Sequence, residues 1–143
     1  MTDLLELRDT SIVLEIGTGT GYQAAILSQL ARQVYSIERI PELARSAQQR
    51  LSEMSCDNVE IPCSDGYLGW PEKAPFDGIV VTAAAPEVPP ALLAQLKAGG
   101  RMVVPIGLPY SHQELMLVTR DPQGNTDTRK ILDVAFVPMI EGA

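Results

Sequence analysis

The sequence predicts a Rossmann-like, doubly wound α/β domain whose sheet is mostly parallel and ends in an antiparallel hairpin. Three observations carry that expectation. Short apolar runs alternate with segments of helical spacing as far as Ile106. A glycine-rich turn, Gly17-Thr18-Gly19-Thr20-Gly21, follows the first apolar run directly. The stretch Ile79-Val80-Val81 is continuously apolar, as a central parallel strand covered on both faces would be.

Met1–Leu7 reads as the last turns of a helix, with Leu4, Leu5 and Leu7 apolar. The first strand is expected over Ser11–Ile16. Helical spacing of Ile26, Leu27, Leu30 and Ala31 predicts a helix over Tyr22–Gln33. A second strand follows at Val34–Glu38. Pro41 stands where a first-turn proline is tolerated, and Leu43, Ala44, Ala47, Leu51 and Met54 mark one face of the next helix. Val59–Cys63 is the third strand, Ser64–Pro75 a loop, and Phe76–Thr82 the fourth strand. Pro89 and Pro90 open a short helix through Leu96, which Gly99-Gly100 should end before a fifth strand at Arg101–Ile106. Beyond it the alternation stops. Glu114–Arg120 and Ile131–Pro138 are strands joined by the turn-rich Asp121–Asn125, a hairpin at one sheet edge.

Composition narrows the function classes. The 143 residues suit one domain over 1–143 and carry a formal charge of −7. A chain of this size buries roughly 68% of its unfolded surface, enough for a core. Acidity argues against nucleic-acid binding by counterion release and against a polybasic membrane binder. No apolar run reaches the roughly 18 residues of a membrane helix, and no secretory leader is evident at the start. Cys56 and Cys63 fit no zinc spacing and are expected to be packing residues in a reducing, cytoplasmic compartment.

The informative stretch is Glu15-Ile16-Gly17-Thr18-Gly19-Thr20-Gly21, at a strand end and a helix start. Glycines there let the backbone turn sharply and approach a ligand. A dinucleotide loop would want a small residue where Tyr22 stands, and a phosphate-cradling loop would want a lysine that is absent. An acidic residue before G-x-G-x-G is the pattern of S-adenosylmethionine (SAM) methyltransferases, whose ligand carries a cationic sulfonium in place of a pyrophosphate. Glu38 ends the second strand and could accept from both ribose hydroxyls of an adenosine cofactor. Asp65-Gly66 follows the third strand, where a carboxylate could take a bond from an adenine amino group. Thr82-Ala83-Ala84-Ala85-Pro86 leaves the fourth strand with small residues that make room for a transferred methyl and its acceptor. His112, the single histidine, reads as plain surface.

With those residues placed, the chain closely resembles the protein-L-isoaspartate O-methyltransferases of the bacterial type. The resemblance rests on MTDLLEL, VLEIGTGTGYQAAIL, VYSIERI, DGYLGWPEKAPFDGIVVTAAAPEVP, LKAGGRMVVPIG and the ending VAFVPMIEG. It implies a SAM-dependent methyltransferase fold and a repair activity: methylation of the free carboxylate of L-isoaspartyl, and less well D-aspartyl, residues in damaged proteins. It implies SAM as cofactor, S-adenosyl-L-homocysteine as product, and isoaspartyl peptides and proteins as substrate. No metal, nucleic acid or membrane partner is implied, and a cytoplasmic monomer is expected. Cofactor contacts are implied at Glu15, Gly17, Gly19, Glu38, Asp65, Gly66 and Thr82, with Thr18 and Gly21 completing the loop.

Two departures shape the expectation. The family's active-site serine lies in a segment preceding the position of Met1, so no catalytic residue is assigned here and weak activity is expected. A basic residue frequent before Phe-Val-Pro in the family is replaced by Ala135. The alternatives are a non-catalytic SAM-binding remnant and a SAM-dependent methyltransferase of a small-molecule carboxylate.

Overall fold

The central strand β1 (Ile12–Ile16) pairs in parallel with β2 (Gln33–Ile37) on one side and β4 (Phe76–Val81) on the other. The computed structural model describes residues 2–108, 112–135 and 139. Its sheet runs in the order β3-β2-β1-β4-β5-β6-β7, with β3 (Val59–Glu60), β5 (Leu96–Gly107), β6 (Gln113–Arg120) and β7 (Thr126–Val134). The first four pairings are parallel, and β5-β6 and β6-β7 are antiparallel. The chain therefore winds outward from β1 to β3, then reverses to β4. That reversal opens a crevice at the carboxyl ends of β1 and β4, where open α/β sheets take ligands.

Strand alternation divides the core between two faces. Val13, Val34, Val80 and Val103 pack with Ala24 and Leu27 of α1 (Tyr22–Leu30) and Leu51 of α2 (Pro41–Glu53). On the other face Leu14, Ile16, Ile79, Val81 and Met102 pack with Leu92 of α3 (Pro90–Ala94). Helices on both faces make the sheet doubly wound, as expected, and the hairpin β6–β7 occupies one edge.

Several boundaries differ from the sequence reading. Gly99-Gly100 does not end a helix but lies inside β5. The register passes from Phe76–Leu96 to Gly78–Arg101, so β5 carries three more residues than β4 across that step. Gly99 takes φ +83° to close the bulge. At Gly100 a Cβ would stand 2.8 Å from the Lys97 carbonyl and 3.0 Å from that of Asp77. Leu96 accordingly belongs to β5, and α3 stops at Ala94.

Helix α1 ends at Leu30, because the Asn58 amide takes over the carbonyls of Ser28, Ala31 and Arg32 at 2.8, 3.1 and 3.3 Å. Pro62 has no N–H for the ladder, so β3 is cut to two residues and pairing resumes only as a Glu38–Cys63 bridge. Leu43 and Met54 are exposed; α2 buries Ala44, Ala47 and Leu51 alone. Thr2–Leu5 is a 3₁₀ turn, and Met1 lies outside the described residues. Two further 3₁₀ turns, Gly66–Leu68 and Pro71–Lys73, organise the expected loop. Strand β7 starts at Thr126, five residues early, and Phe136–Pro138 of the predicted strand lie outside the described residues. Cys63 is exposed rather than packed, while Cys56 is half-buried against the α1 face.

Candidate functional site

The turn after β1 is built from three left-handed glycines, Gly17 at φ +97°, Gly19 at +55° and Gly21 at +88°. A Cβ at Gly17 would collide with the Thr82 hydroxyl, so glycine is required there by contact as well as by conformation. Around Gly19 nothing lies within 4 Å of a would-be Cβ, and this part of the loop is open. Gly21 faces the other way, with its would-be Cβ 3.4 Å from the Ala47 Cβ of α2.

Glu38, just past β2, is buried and meets this turn directly. Its Oε1 accepts from Gly19 N–H at 3.0 Å and its Oε2 from Ile40 N–H at 3.1 Å, one residue ahead of α2. Thr82 closes the third side. Its N–H donates to the Ile16 carbonyl at 3.0 Å, and its hydroxyl lies 2.9 Å from that oxygen and 3.0 Å from the Gly17 carbonyl. Asp65 caps the 3₁₀ turn after β3, accepting from Tyr67 N–H at 2.9 Å. That cap brings Gly66 against Ile16 so closely that a Cβ would overlap the isoleucine side chain.

Between these walls lies a cleft of 330 Å³, lined by Gly17, Gly19, Glu38, Gly66, Thr82 and Ala83, among others. Five of the residues expected from sequence are thus brought together at the switch point. Glu15, Thr18, Gly21 and Asp65 stand behind the lining. Glu15 sits on the α1 face beside Ser36 and Val80, without solvent exposure. Ser36 Oγ donates to its Oε1 at 2.5 Å, and Thr18 Oγ1 is 2.6 Å from Ser36 Oγ. Its Oε2 has no hydrogen-bond partner among the described residues. Burial pushes the Glu15 carboxyl up to about 7; the Ser36 bond opposes that rise and the nearby Glu38 charge adds to it.

The sequence of the chain, compared with known families, decides what this arrangement belongs to. The pattern of the protein-L-isoaspartate(D-aspartate) O-methyltransferase family matches residues 1–143. The chain belongs to that family. Among its relatives, protein-L-isoaspartate O-methyltransferase 2 of Syntrophobacter fumaroxidans is 60% identical over 99% of this chain and 58% of its own length. Protein-L-isoaspartate O-methyltransferase 1 of Nitrosospira multiformis is 56% identical over 99% of this chain and 60% of its own. The chain therefore spans about three fifths of the length of these relatives. A solved protein-L-isoaspartate O-methyltransferase superposes with TM-score 0.87 at 34% identity, over 96% of this chain and 44% of that one. A candidate member from Plasmodium falciparum, solved in complex with S-adenosyl-L-homocysteine, gives TM-score 0.76 at 25% identity over 95% and 68%.

Within this isoaspartate methyltransferase fold, Ile16, Ile37, Arg39 and Met139 also line the cleft and had escaped the sequence reading as site residues. Arg39 lines the cleft beside Glu38, and its adjacency to that acid was the available signal. Met139 lines it from the far end of the chain, held by its N–H on the Ala84 carbonyl at 2.8 Å. No local pattern places Met139 at the cleft, because its contact with Ala84, 55 residues earlier in the chain, is made only in the tertiary fold. His112 is exposed, as expected, and pairs with Asp133 at 3.2 Å and Glu114 at 3.6 Å. Ala135 is exposed just beyond β7.

Proposed function

We propose that this chain binds SAM in the cleft at the ends of β1, β2 and β4 and serves methyl transfer to the free carboxylate of isoaspartyl residues in damaged proteins. The observation that carries the reading is the meeting of Glu38 with the glycine turn. A buried carboxylate, two close-packed glycines and an open Gly19 fit an adenosine cofactor bearing a cationic amino-acid tail. Family membership supports the choice of isoaspartyl protein over other acceptors.

Bound SAM would supply an electrophilic methyl on a sulfonium. The work of the chain is placement. Glu38 offers acceptor oxygens to a ribose diol, and Gly17 and Gly66 let main chain approach without side chains in the way. Thr82 locks the exits of β1 and β4 together, and Ala83, beyond it, leaves the mouth open. A substrate carboxylate of pKa near ~4 is ionised at neutral pH, so attack needs no general base, and alignment is the main catalytic resource. This agrees with a cleft lining that holds no histidine among the described residues. Glu15, Thr18, Gly21 and Asp65 then support the cofactor by holding the lining in place. The reading includes a cytoplasmic monomer, and the acidic charge supports the absence of nucleic-acid and anionic-membrane partners; no helix of the described residues is long and apolar enough to cross a membrane.

The test is calorimetric titration with S-adenosyl-L-homocysteine, with NAD as comparator, followed by methylation of an isoaspartyl peptide and its aspartyl isomer. Micromolar binding of the homocysteine nucleoside alone and methylation of the isoaspartyl peptide alone are expected. Equal methylation of both peptides would move the acceptor to carboxylates in general, and absence of nucleoside binding would defeat the proposal.

A further inference from the structure

Gln95 is a buried polar side chain outside the lining of the cofactor cleft, at 7% exposure, and no step described so far uses it. It stands at the C-terminal cap of α3, immediately before β5. Its carbonyl accepts from Phe76 N–H at 2.9 Å, which fixes it to the start of β4. Both ends of its amide are spent on one loop. Oε1 accepts from Trp70 N–H at 2.9 Å, and Nε2 donates to the Leu68 carbonyl at 3.0 Å. Between those partners Gly69 turns at φ +61°, and a Cβ there would occupy the position of the Gln95 amide. The glycine leaves the space that the amide fills.

That loop is the far side of the turn carrying Asp65 and Gly66. Leu68 N–H donates to the Asp65 carbonyl at 3.1 Å and Gly69 N–H to the Gly66 carbonyl at 3.2 Å, which ties the segment together as one hydrogen-bonded unit. One end of the unit lines the cofactor cleft at Gly66; the other is clamped by Gln95. Beside it is a solvent-open pocket of 630 Å³ lined by Leu68, Trp70, Gln95, Cys63 and Glu72. Packing holds part of this unit, Gly66 against Ile16 and Trp70 edge-on to Tyr35 at 5.0 Å between ring centroids, and Gln95 adds the hydrogen bonds that join Leu68 and Trp70 to the start of β5.

We infer that Gln95 is a positioning residue for cofactor binding, its two main-chain bonds setting the height at which Gly66, backed by the Asp65 turn, meets the adenosine. The inference rests on the cofactor reading above. Losing both bonds frees the loop, and the cofactor must then reorder it on binding. The loss expected is about tenfold in affinity for S-adenosyl-L-homocysteine.

The test uses the intact chain with Gln95→Ala and Gln95→Glu, read by calorimetry with S-adenosyl-L-homocysteine and by emission of Trp70, the single tryptophan. Gln95→Ala should weaken binding about tenfold and shift Trp70 emission in the folded, ligand-free protein. In Gln95→Glu the ionised carboxylate can still accept from Trp70 N–H but faces the Leu68 carbonyl with no donor. Affinity and emission should therefore recover as the pH is lowered and the introduced carboxyl gains its proton. Glu72 and Cys63 share the pocket and are present in both proteins, so the unsubstituted chain at each pH subtracts their titration. Should Gln95→Ala fail to fold, the pH profile of Gln95→Glu decides. Unchanged affinity in a variant with shifted emission, or a Gln95→Glu affinity that ignores pH, would overturn the inference. Failure of the unsubstituted chain to bind the nucleoside would overturn the cofactor reading first, and this inference with it.

Discussion

Ser36 donates a hydrogen bond of 2.5 Å to the buried Glu15 carboxylate, and the same hydroxyl lies 2.6 Å from Thr18 in the glycine turn. These three side chains link the end of β1 to β2 and to the loop beyond, beneath the cleft rather than inside it. Ser36→Ala removes the shared hydroxyl and strands two polar groups in the core. A loss of about 1–3 kcal/mol in unfolding free energy is expected, measured by urea denaturation at neutral pH. Substitution by threonine, which keeps a hydroxyl, should recover part of it.

The raised Glu15 pKa sets the sign of a pH effect. The folded carboxyl titrates at about 7 against the ordinary 4.5 of a free glutamate side chain, so between those values the folded state holds a proton that the unfolded state has released. Stability from this group is full below pH 4.5 and is lost as the pH rises through about 7. The integrated loss is about 3 kcal/mol. Glu15→Gln removes the titration, and denaturation midpoints taken from pH 5 to pH 8 should show its stability varying less with pH than that of the unsubstituted chain. Parallel curves for the two proteins would refute the assignment.

Two glycines of one turn should respond differently to the same substitution. Gly17→Ala meets both a left-handed backbone at φ +97° and the Thr82 hydroxyl, whereas Gly19→Ala meets only its φ of +55° in open space. Gly19→Ala should cost about 1 kcal/mol, the usual left-handed penalty. Gly17→Ala should cost more, since Thr82 must also leave the Ile16 and Gly17 carbonyls. Paired denaturation curves check the order, and the loss of S-adenosyl-L-homocysteine binding should also be greater for Gly17→Ala.

Glu38→Gln keeps the size of the side chain and one acceptor oxygen while removing the charge. In the free protein it gives up one of the bonds to Gly19 and Ile40. Binding of S-adenosyl-L-homocysteine should weaken by about tenfold or more, the worth of a charge-assisted hydrogen bond. Calorimetry showing unchanged affinity would place the ribose elsewhere.

Much of this was readable from local chemistry. Gly17 and Gly19 lie where a glycine bends the chain between strand and helix, and Glu38 follows the short run Val34–Ile37 that reads as a strand. The parallel sense of β1, β2 and β4 follows from strands alternating with helices in the sequence, whereas their order in the sheet does not. What escaped was set by partners distant in the chain. The carbonyls that end α1 go to Asn58, and β5 runs through Gly99-Gly100 because a bulge against Phe76 and Gly78 uses glycines that read as a helix stop. Glu15 is the instructive case. Its place before the turn suggested a ligand contact, while strand alternation puts it on the α1 face with Ser36.

The sequence by itself determined the fold class, the glycine turn and the family, since each depends on residue types at short spacing. Tertiary structure decided which of the marked residues share the cleft, that Met139 joins them, and that Gln95 holds the loop behind Gly66. Those relationships are hydrogen bonds and contacts between residues far apart in the chain. Their geometry comes from sheet register and packing, which no local pattern encodes.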